Sequence, residues 1–473
     1  MSFFIKNKGV KGQAKKGKVR KQTGEAPKGP PNKRSKYVGM NEEIESDSDI
    51  EPDDDTLPKR SEGYISSESD EETAQEKKLR LAKQYLKQIE LEERDERVDN
   101  EVDTDVVSKR LKEDILEQGG KLQRKEADNL AVPCDEDVIL FRGHQLSVTC
   151  VVISPDTQFI YSGSKDCSII KWSLRDRKKV KVIHGGRKGT EKKHIGHTGH
   201  ILSMAISSDG KFLATGDINK LIHIWDARSM ELLHTFRGHR DSVSGLTFRK
   251  DTHQLYSCSF DRSVKIWHVD ERAYVETLFG HQDKITGIDS LSRERAITSG
   301  SRDNSIRIWK IIEESQLVFN AHTMCSVDCV ALINESYFIS GNDDNSISLW
   351  GVMKKKPLCT LKNAHGCQAS EGSVDNSHKE NWITAVAAKQ NSDIVASAGS
   401  RDGCVRFWKC SSDYKKLEPI ISVSVAGFVN CLKFSNNGQY LIGGVGQEHR
   451  LGRWWSDKKA KNGIVIIPLN INC

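Results

Sequence analysis

One interval constrains this chain more than any other feature. His144 precedes Trp172 by 28 positions, and the same 28 separates His197 from Trp225, His239 from Trp267, His281 from Trp309 and His322 from Trp350. In the central copy the histidine follows Gly238, and Asp261 stands six residues before the tryptophan. Within each copy the apolar residues alternate, as in Val264-Lys265-Ile266-Trp267 and Ile306-Arg307-Ile308-Trp309, the period of a strand. Turn formers such as Ser301-Arg302-Asp303-Asn304 and Asn342-Asp343-Asp344-Asn345 lie between them. A unit of roughly 40 residues made of short strands cannot bury a core alone, and radial stacking of copies solves that problem. The expected fold class is therefore all-β, a seven-bladed β-propeller.

The count of seven needs two irregular units. A sixth starts at Ala364-His365 and ends at Trp408 with Asp402 in place, which implies an insertion of about 15 residues near 366–380; either His365 or His378 can serve as its histidine. A seventh starts at Gly427-Phe428, lacks the histidine and is expected to end at Trp454-Trp455. An open ring would leave an unpaired edge. Residues 138–142 are placed to supply the closing strand, with 464–469 as a rival or added strand.

These residues resemble the WD-repeat family over residues 131–473. In that family the histidine, a Ser/Thr, the aspartate and the tryptophan of a repeat form a hydrogen-bonded structural tetrad. Carried over by position, the resemblance implies the sets His239, Ser257, Asp261, Trp267 and His281, Ser299, Asp303, Trp309. Buried polar groups need partners, so the assignment is chemically sensible. A His/Ser/Asp set also looks like a hydrolase triad, but its repetition in successive blades argues for structure over catalysis. In the second unit the aspartate position holds Asn219, and His197 is expected to be held less firmly.

The rest of the chain is organised by charge. The net charge is +6, yet residues 1–39 carry a dozen Lys/Arg against one acid, Glu25, and residues 40–72 are strongly acidic. Residues 1–70 have too few apolar residues to offset ordering entropy and read as a disordered basic, then acidic, tail. Its basic clusters, Lys15, Lys16, Lys18, Arg20, Lys21, Lys33, Arg34 and Lys36, read as nuclear targeting or a nucleic-acid-binding arm. Ser46, Ser48, Ser67 and Ser69 each have an acid three residues downstream, a pattern for phosphorylation that would deepen the negative charge. Residues 71–130 read as a helical connector. Leu79, Ala82, Leu86 and Ile89 form one stripe and Val107, Leu111 and Ile115 a second, ended by Gly119-Gly120. Either the propeller or a partner protein is expected to receive these stripes.

Twelve cysteines without a C-x-x-C pair or zinc spacing fit a reducing compartment and no metal site. No cofactor motif is present. No apolar run of about 18 residues and no secretory h-region occur, so no membrane association is expected.

In WD-repeat propellers the loops carrying Gly-His and the turns carrying Asp share one face. On this chain those loops hold Arg302 and Arg401, the insertion 184–194 with Arg187, Lys188, Lys192 and Lys193, and the turn holding His449, Arg450 and Arg453. Convergent basic residues are the electrostatic footprint of phosphate-backbone binding, so these nine are the RNA-binding candidates.

A closer resemblance rests on longer strings: Met40-Asn41-Glu42-Glu43-Ile44, Glu72-Thr73-Ala74-Gln75-Glu76-Lys77-Lys78-Leu79-Arg80-Leu81-Ala82-Lys83, Tyr274-Val275-Glu276-Thr277-Leu278-Phe279-Gly280-His281-Gln282-Asp283, Glu314-Ser315-Gln316-Leu317-Val318-Phe319 and Gly444-Val445-Gly446-Gln447-Glu448-His449-Arg450-Leu451-Gly452-Arg453-Trp454-Trp455. They resemble the WD-repeat subunits of the U-three small nucleolar ribonucleoprotein. The resemblance implies a nucleolar, non-enzymatic protein, one copy per particle. It would recognise the box B/C element of U-three snoRNA together with a kink-turn RNA-binding protein and other box C/D proteins. It would do so within the small-subunit processome, during processing of the 18S ribosomal RNA precursor. Two other readings stand beside it. Trp225-Asp226-Ala227-Arg228 fits a short pattern of cullin-linked ubiquitin-ligase adaptors, and a propeller's central opening can take a peptide.

Overall fold

The computed structural model describes residues 74–95, 104–131, 137–186, 189, 194–321, 325–368, 379–453 and 455–469. The chain divides into Met1–Lys77 and Lys78–Cys473, and only the first turn of a helix is described in the former. The tail with its targeting clusters and serines, His322, His378 and Trp454 all lie outside the described residues.

Among the described residues, seven four-stranded sheets form the ring. Blade 1 comprises Val148–Ile153, Phe159–Ser164, Ile169–Ser173 and Lys178–Ile183. Its two faces pack on neighbouring blades, so the innermost strand is buried at every position, while the outermost meets solvent. Sequence pattern and position agree here: Val148, Val151, Val152 and Ile153 lie inside, and Lys178, Lys179 and Lys181 outside.

The tryptophans of the 28-residue frame couple each blade to the one before it. Trp267, 2 % exposed, stacks 4.7 Å from Phe236 and packs with Ile222 and Ile224 of blade 2. Trp225 sits likewise against Cys150, Val152 and Tyr161 of blade 1. Burying one such side chain contributes on the order of 3 kcal/mol.

Blade 7 departs from the expected layout. Its first two strands are Phe428–Phe434 and Tyr440–Gly446, its third is Gly463–Pro468, and its outermost is Ile139–Arg142. Ile139 pairs with Ile466 and Arg142 with Gly463, antiparallel. Both segments that were rivals for closure are therefore used. Trp455 does not end a strand as expected, because the apolar run that pairs with Tyr440–Gly446 starts only at Gly463. Phe141 then lies 5.4 Å from Trp172, joining the last blade to the first.

Helix α1 spans Ala74–Asp95 and α2 spans Thr104–Gln118, joined by a hydrogen bond from Tyr85 Oη to Asp114 Oδ2 of 2.6 Å. Ile89 is buried, but Leu79, Leu86 and Ile115 are exposed, so the described residues do not fully cover the stripes. After Gly119-Gly120 the backbone docks on the side of the ring away from the Asp-bearing turns. Arg124 N donates to Asn391 O at 2.8 Å, and Asp393 Oδ1 accepts from the N–H groups of Glu126 and Ala127 at 2.9 and 3.0 Å. Lys389 pairs with Glu126 at 2.6 Å, and Leu122, Ala127 and Leu130 are buried beneath.

Candidate nucleic-acid interface at the channel mouth

The tetrads shape the face on which the candidates lie. In blade 3 the Trp267 indole N–H donates to Ser257 Oγ at 2.8 Å, His239 Nε2 lies 2.7 Å from the same oxygen, and His239 Nδ1 lies 3.0 Å from Asp261 Oδ2. Burial alone would raise the Asp261 carboxyl, but hydrogen bonds from His239, Ser263 and the Arg240 N–H outweigh it and hold the group below the ordinary carboxylate range. An ionised Asp261 accepts, so Nδ1 carries the proton and Nε2 accepts from the serine hydroxyl. Every polar atom in the relay is thereby used for positioning, and none is left to activate a nucleophile.

Three expectations about the tetrads need correction or choice. In blade 4 the hydroxyl is that of Thr298, not Ser299: Trp309 Nε1 donates to Thr298 Oγ1 at 2.9 Å, and His281 Nε2 lies 2.8 Å from it. The turn between the second and third strands holds one more residue there than in blade 3, which shifts the hydroxyl back by one; Ser299 pairs instead with Thr286. In blade 2 His197 is firmly held despite Asn219. Asp217, two residues earlier, comes within 3.0 Å of Nδ1, Thr215 lies 2.6 Å from Nε2, and the His197 and Asp217 side chains are both fully buried. In blade 6 it is His365 that meets Asp402 and Ser397. His197, Asp217 and His223 lie close enough to suggest a metal site, but both His197 ring nitrogens are spent on these hydrogen bonds.

Blade 7 has no tetrad, and its connection 447–462 folds over the channel. Lys165 anchors it from blade 1, donating to Glu448 Oε2 at 3.4 Å and Gly452 O at 3.3 Å. Arg453 pairs with the same carboxylate at 3.1 Å and stays exposed. Two candidates are not rim contacts. His449 is 4 % exposed, packed 4.2 Å from Phe428 and 5.1 Å from Trp382. Burial, with Lys165 and Arg401 nearby, pushes its imidazole down to about 4, so it is neutral near pH 7. Arg450 runs inward across the channel and donates to Ser244 O of blade 3.

Arg302 and Arg401 do meet, at Trp455. Arg302 lines a cavity of about 620 Å³ at the mouth with Trp382, Trp455, His449, Arg450 and Asp328. Arg401 lies 4.0 Å over the Trp455 ring, and Trp455 stacks 4.9 Å from Trp382. Burial pushes the Asp328 carboxyl up to about 6, with Asp343 adding to the rise and Ser326 and Arg450 opposing it. Arg187, Lys188, Lys192 and Lys193 lie outside the described residues. Sequence reading missed Trp382 and Asp328. The signal for the first was present, since Trp382 and Trp455 both fall outside the 28-residue frame. Trp225 and Asp226 of the adaptor-like pattern serve local structure: Trp225 is buried and Asp226 Oδ1 accepts from the Arg228 N–H at 2.8 Å.

The family model for the WD domain, G-beta repeat, matches residues 136–173, 189–226, 230–268, 272–310, 313–351 and 372–409. The chain is 56 % identical to human U3 small nucleolar RNA-interacting protein 2 over 399 residues, covering 84 % of this chain and 83 % of that one. It is 54 % identical to the mouse protein of the same name, over 91 % and 88 % of the two chains. A solved structure titled as the crystal structure of RRP9 WD40 repeats aligns with a TM-score of 0.68 at 52 % identity, covering 72 % of this chain and all of that one. The chain belongs to the WD-repeat family of U3 small nucleolar RNA-interacting protein 2.

Proposed function

We propose that the chain is a non-enzymatic subunit of the U3 box C/D ribonucleoprotein. It binds the box B/C element of U3 snoRNA with the kink-turn protein already seated, and acts in the nucleolus, in the small-subunit processome, during processing of the 18S precursor. The observation that carries this reading is the meeting of Arg302 and Arg401 with two out-of-frame tryptophans at one channel mouth, beside the exposed Arg453 of the same connection as Trp455, in a chain whose relatives are named for U3 RNA interaction. Cationic side chains beside aromatic rings are the chemistry of single-stranded RNA contact. The test is a salt titration of full-chain binding to B/C RNA carrying the kink-turn protein. The triple change Arg302→Glu, Arg401→Glu, Arg453→Glu is expected to weaken binding at least tenfold and to flatten the salt slope. Unchanged affinity and slope sink the assignment of this face.

A further inference from the structure

The mouth cavity carries more recognition chemistry than phosphate contacts require. Asn430 and His449, 3 % and 4 % exposed, both line it. Asn430 Oδ1, His449 Nε2 and Arg450 Nε are buried with no hydrogen-bond partner among the described residues. Unsatisfied buried polar atoms are costly, and three around one cavity mark a place that a partner from outside completes. Chemistry narrows that partner. A phosphate inside would face the carboxylates of Asp328 and Asp343, and a cationic side chain would face Arg302 and Arg450. A flat, uncharged group with donors and acceptors on its edge suits both the aromatic wall and the mixed polar floor. The volume of about 620 Å³ lies within the range of roughly 300–1,000 Å³ of small-ligand sites.

We propose that this cavity takes an unpaired nucleobase of the RNA partner, held against Trp382 and Trp455 with its edge toward Asn430 and Asp328. The phosphates on either side stay outside, on Arg302 and Arg453. This rests on the RNA reading above and adds a base-binding site to it.

The experiment compares two single-stranded RNA 12-mers on the full chain: one with all its bases, one with abasic riboses at alternate positions, by fluorescence anisotropy at low salt. The abasic strand is expected to bind about tenfold more weakly. Trp455→Ala is expected to erase the difference and Trp455→Phe to keep it, while Arg453→Glu weakens both strands alike. A 4-thiouridine crosslink is expected on Trp382 or Trp455. Equal binding of the two strands overturns the nucleobase site and leaves the RNA reading standing. Failure of the 12-mers and of B/C RNA to bind at all overturns both. Quenching of tryptophan fluorescence by an arginine-containing peptide that the RNA does not displace assigns the cavity to a peptide and overturns the proposal.

Discussion

In blade 3 the second and third strands are joined by three residues, 260–262, and the polar groups of that turn point inward to His239 and Ser263. In blade 7 the same connection runs through sixteen residues, 447–462, and Phe428 stands where a tetrad histidine would tie it down. It carries Arg450 into the channel and Trp455 to the rim instead. The contrast separates two uses of one architecture. A tetrad consumes its donors and acceptors in holding a turn short, which makes the blade uniform and chemically quiet. Where the histidine is missing, the connection is free to lengthen, and its side chains build a surface feature rather than a joint.

The contrast breaks most readily at the tryptophans. Trp267→Ala is expected to cost about 3–5 kcal/mol in guanidinium unfolding, because the ring is buried between two blades. Trp455→Ala, on a half-exposed loop, is expected to stay within about 1 kcal/mol. Equal costs would erase the distinction between scaffold and surface.

A smaller effect tests the relay itself. Asp261→Ala leaves His239 without its acceptor and is expected to cost about 1–3 kcal/mol at pH 7. The folded-state pKa of Asp261 lies below the ordinary 3.8, so the unfolded chain binds its proton first. The stability from this group is fully present above about pH 4 and is lost as pH falls through the depressed value. The gap between native protein and variant therefore narrows only in strong acid; a gap that closes near neutrality would break the assignment.

The smallest effect has the opposite sign and belongs to the channel. Asp328 ionises near pH 6 in the fold against 3.8 ordinarily, so its ionisation weakens the native state increasingly from about pH 4 to pH 6 and by a constant amount above. Asp328→Asn is expected to stabilise by roughly 1–2 kcal/mol at pH 7.5, after allowance for solvent screening, with the gain vanishing near pH 4. Thermal melts at both pH values measure it, and a loss of stability at pH 7.5 would contradict a strained channel carboxylate.

Much of the ring was legible because the histidine–tryptophan interval and the strand alternation are properties of neighbouring residues. What the sequence could not convey were matters of register and reach. One extra turn residue moved the blade 4 hydroxyl from Ser299 to Thr298, and the aspartate of blade 2 slid to Asp217. Position counting cannot see either, since a hairpin shifts its partners without changing the outer interval. Arg450 was legible as a basic residue near the mouth, but its contact with Ser244, three blades away in ring order, depends on the curvature of the whole ring. His449 looked like a surface base for the same reason, until Phe428 and Trp382 closed around it.

The pairing of Ile139 with Ile466 has a consequence for synthesis. Among the described strands, the outermost of blade 7 leaves the ribosome first, yet its sheet partner, Gly463–Pro468, is made last. Until then Phe141 has no strand to hold it over Trp172, and the growing array has two open edges. Each is a template for pairing with the wrong chain. Such a protein completes its ring in one late step, so a truncation that removes the final strand does not merely shorten the molecule but breaks blade 7 open and strands the segment made first.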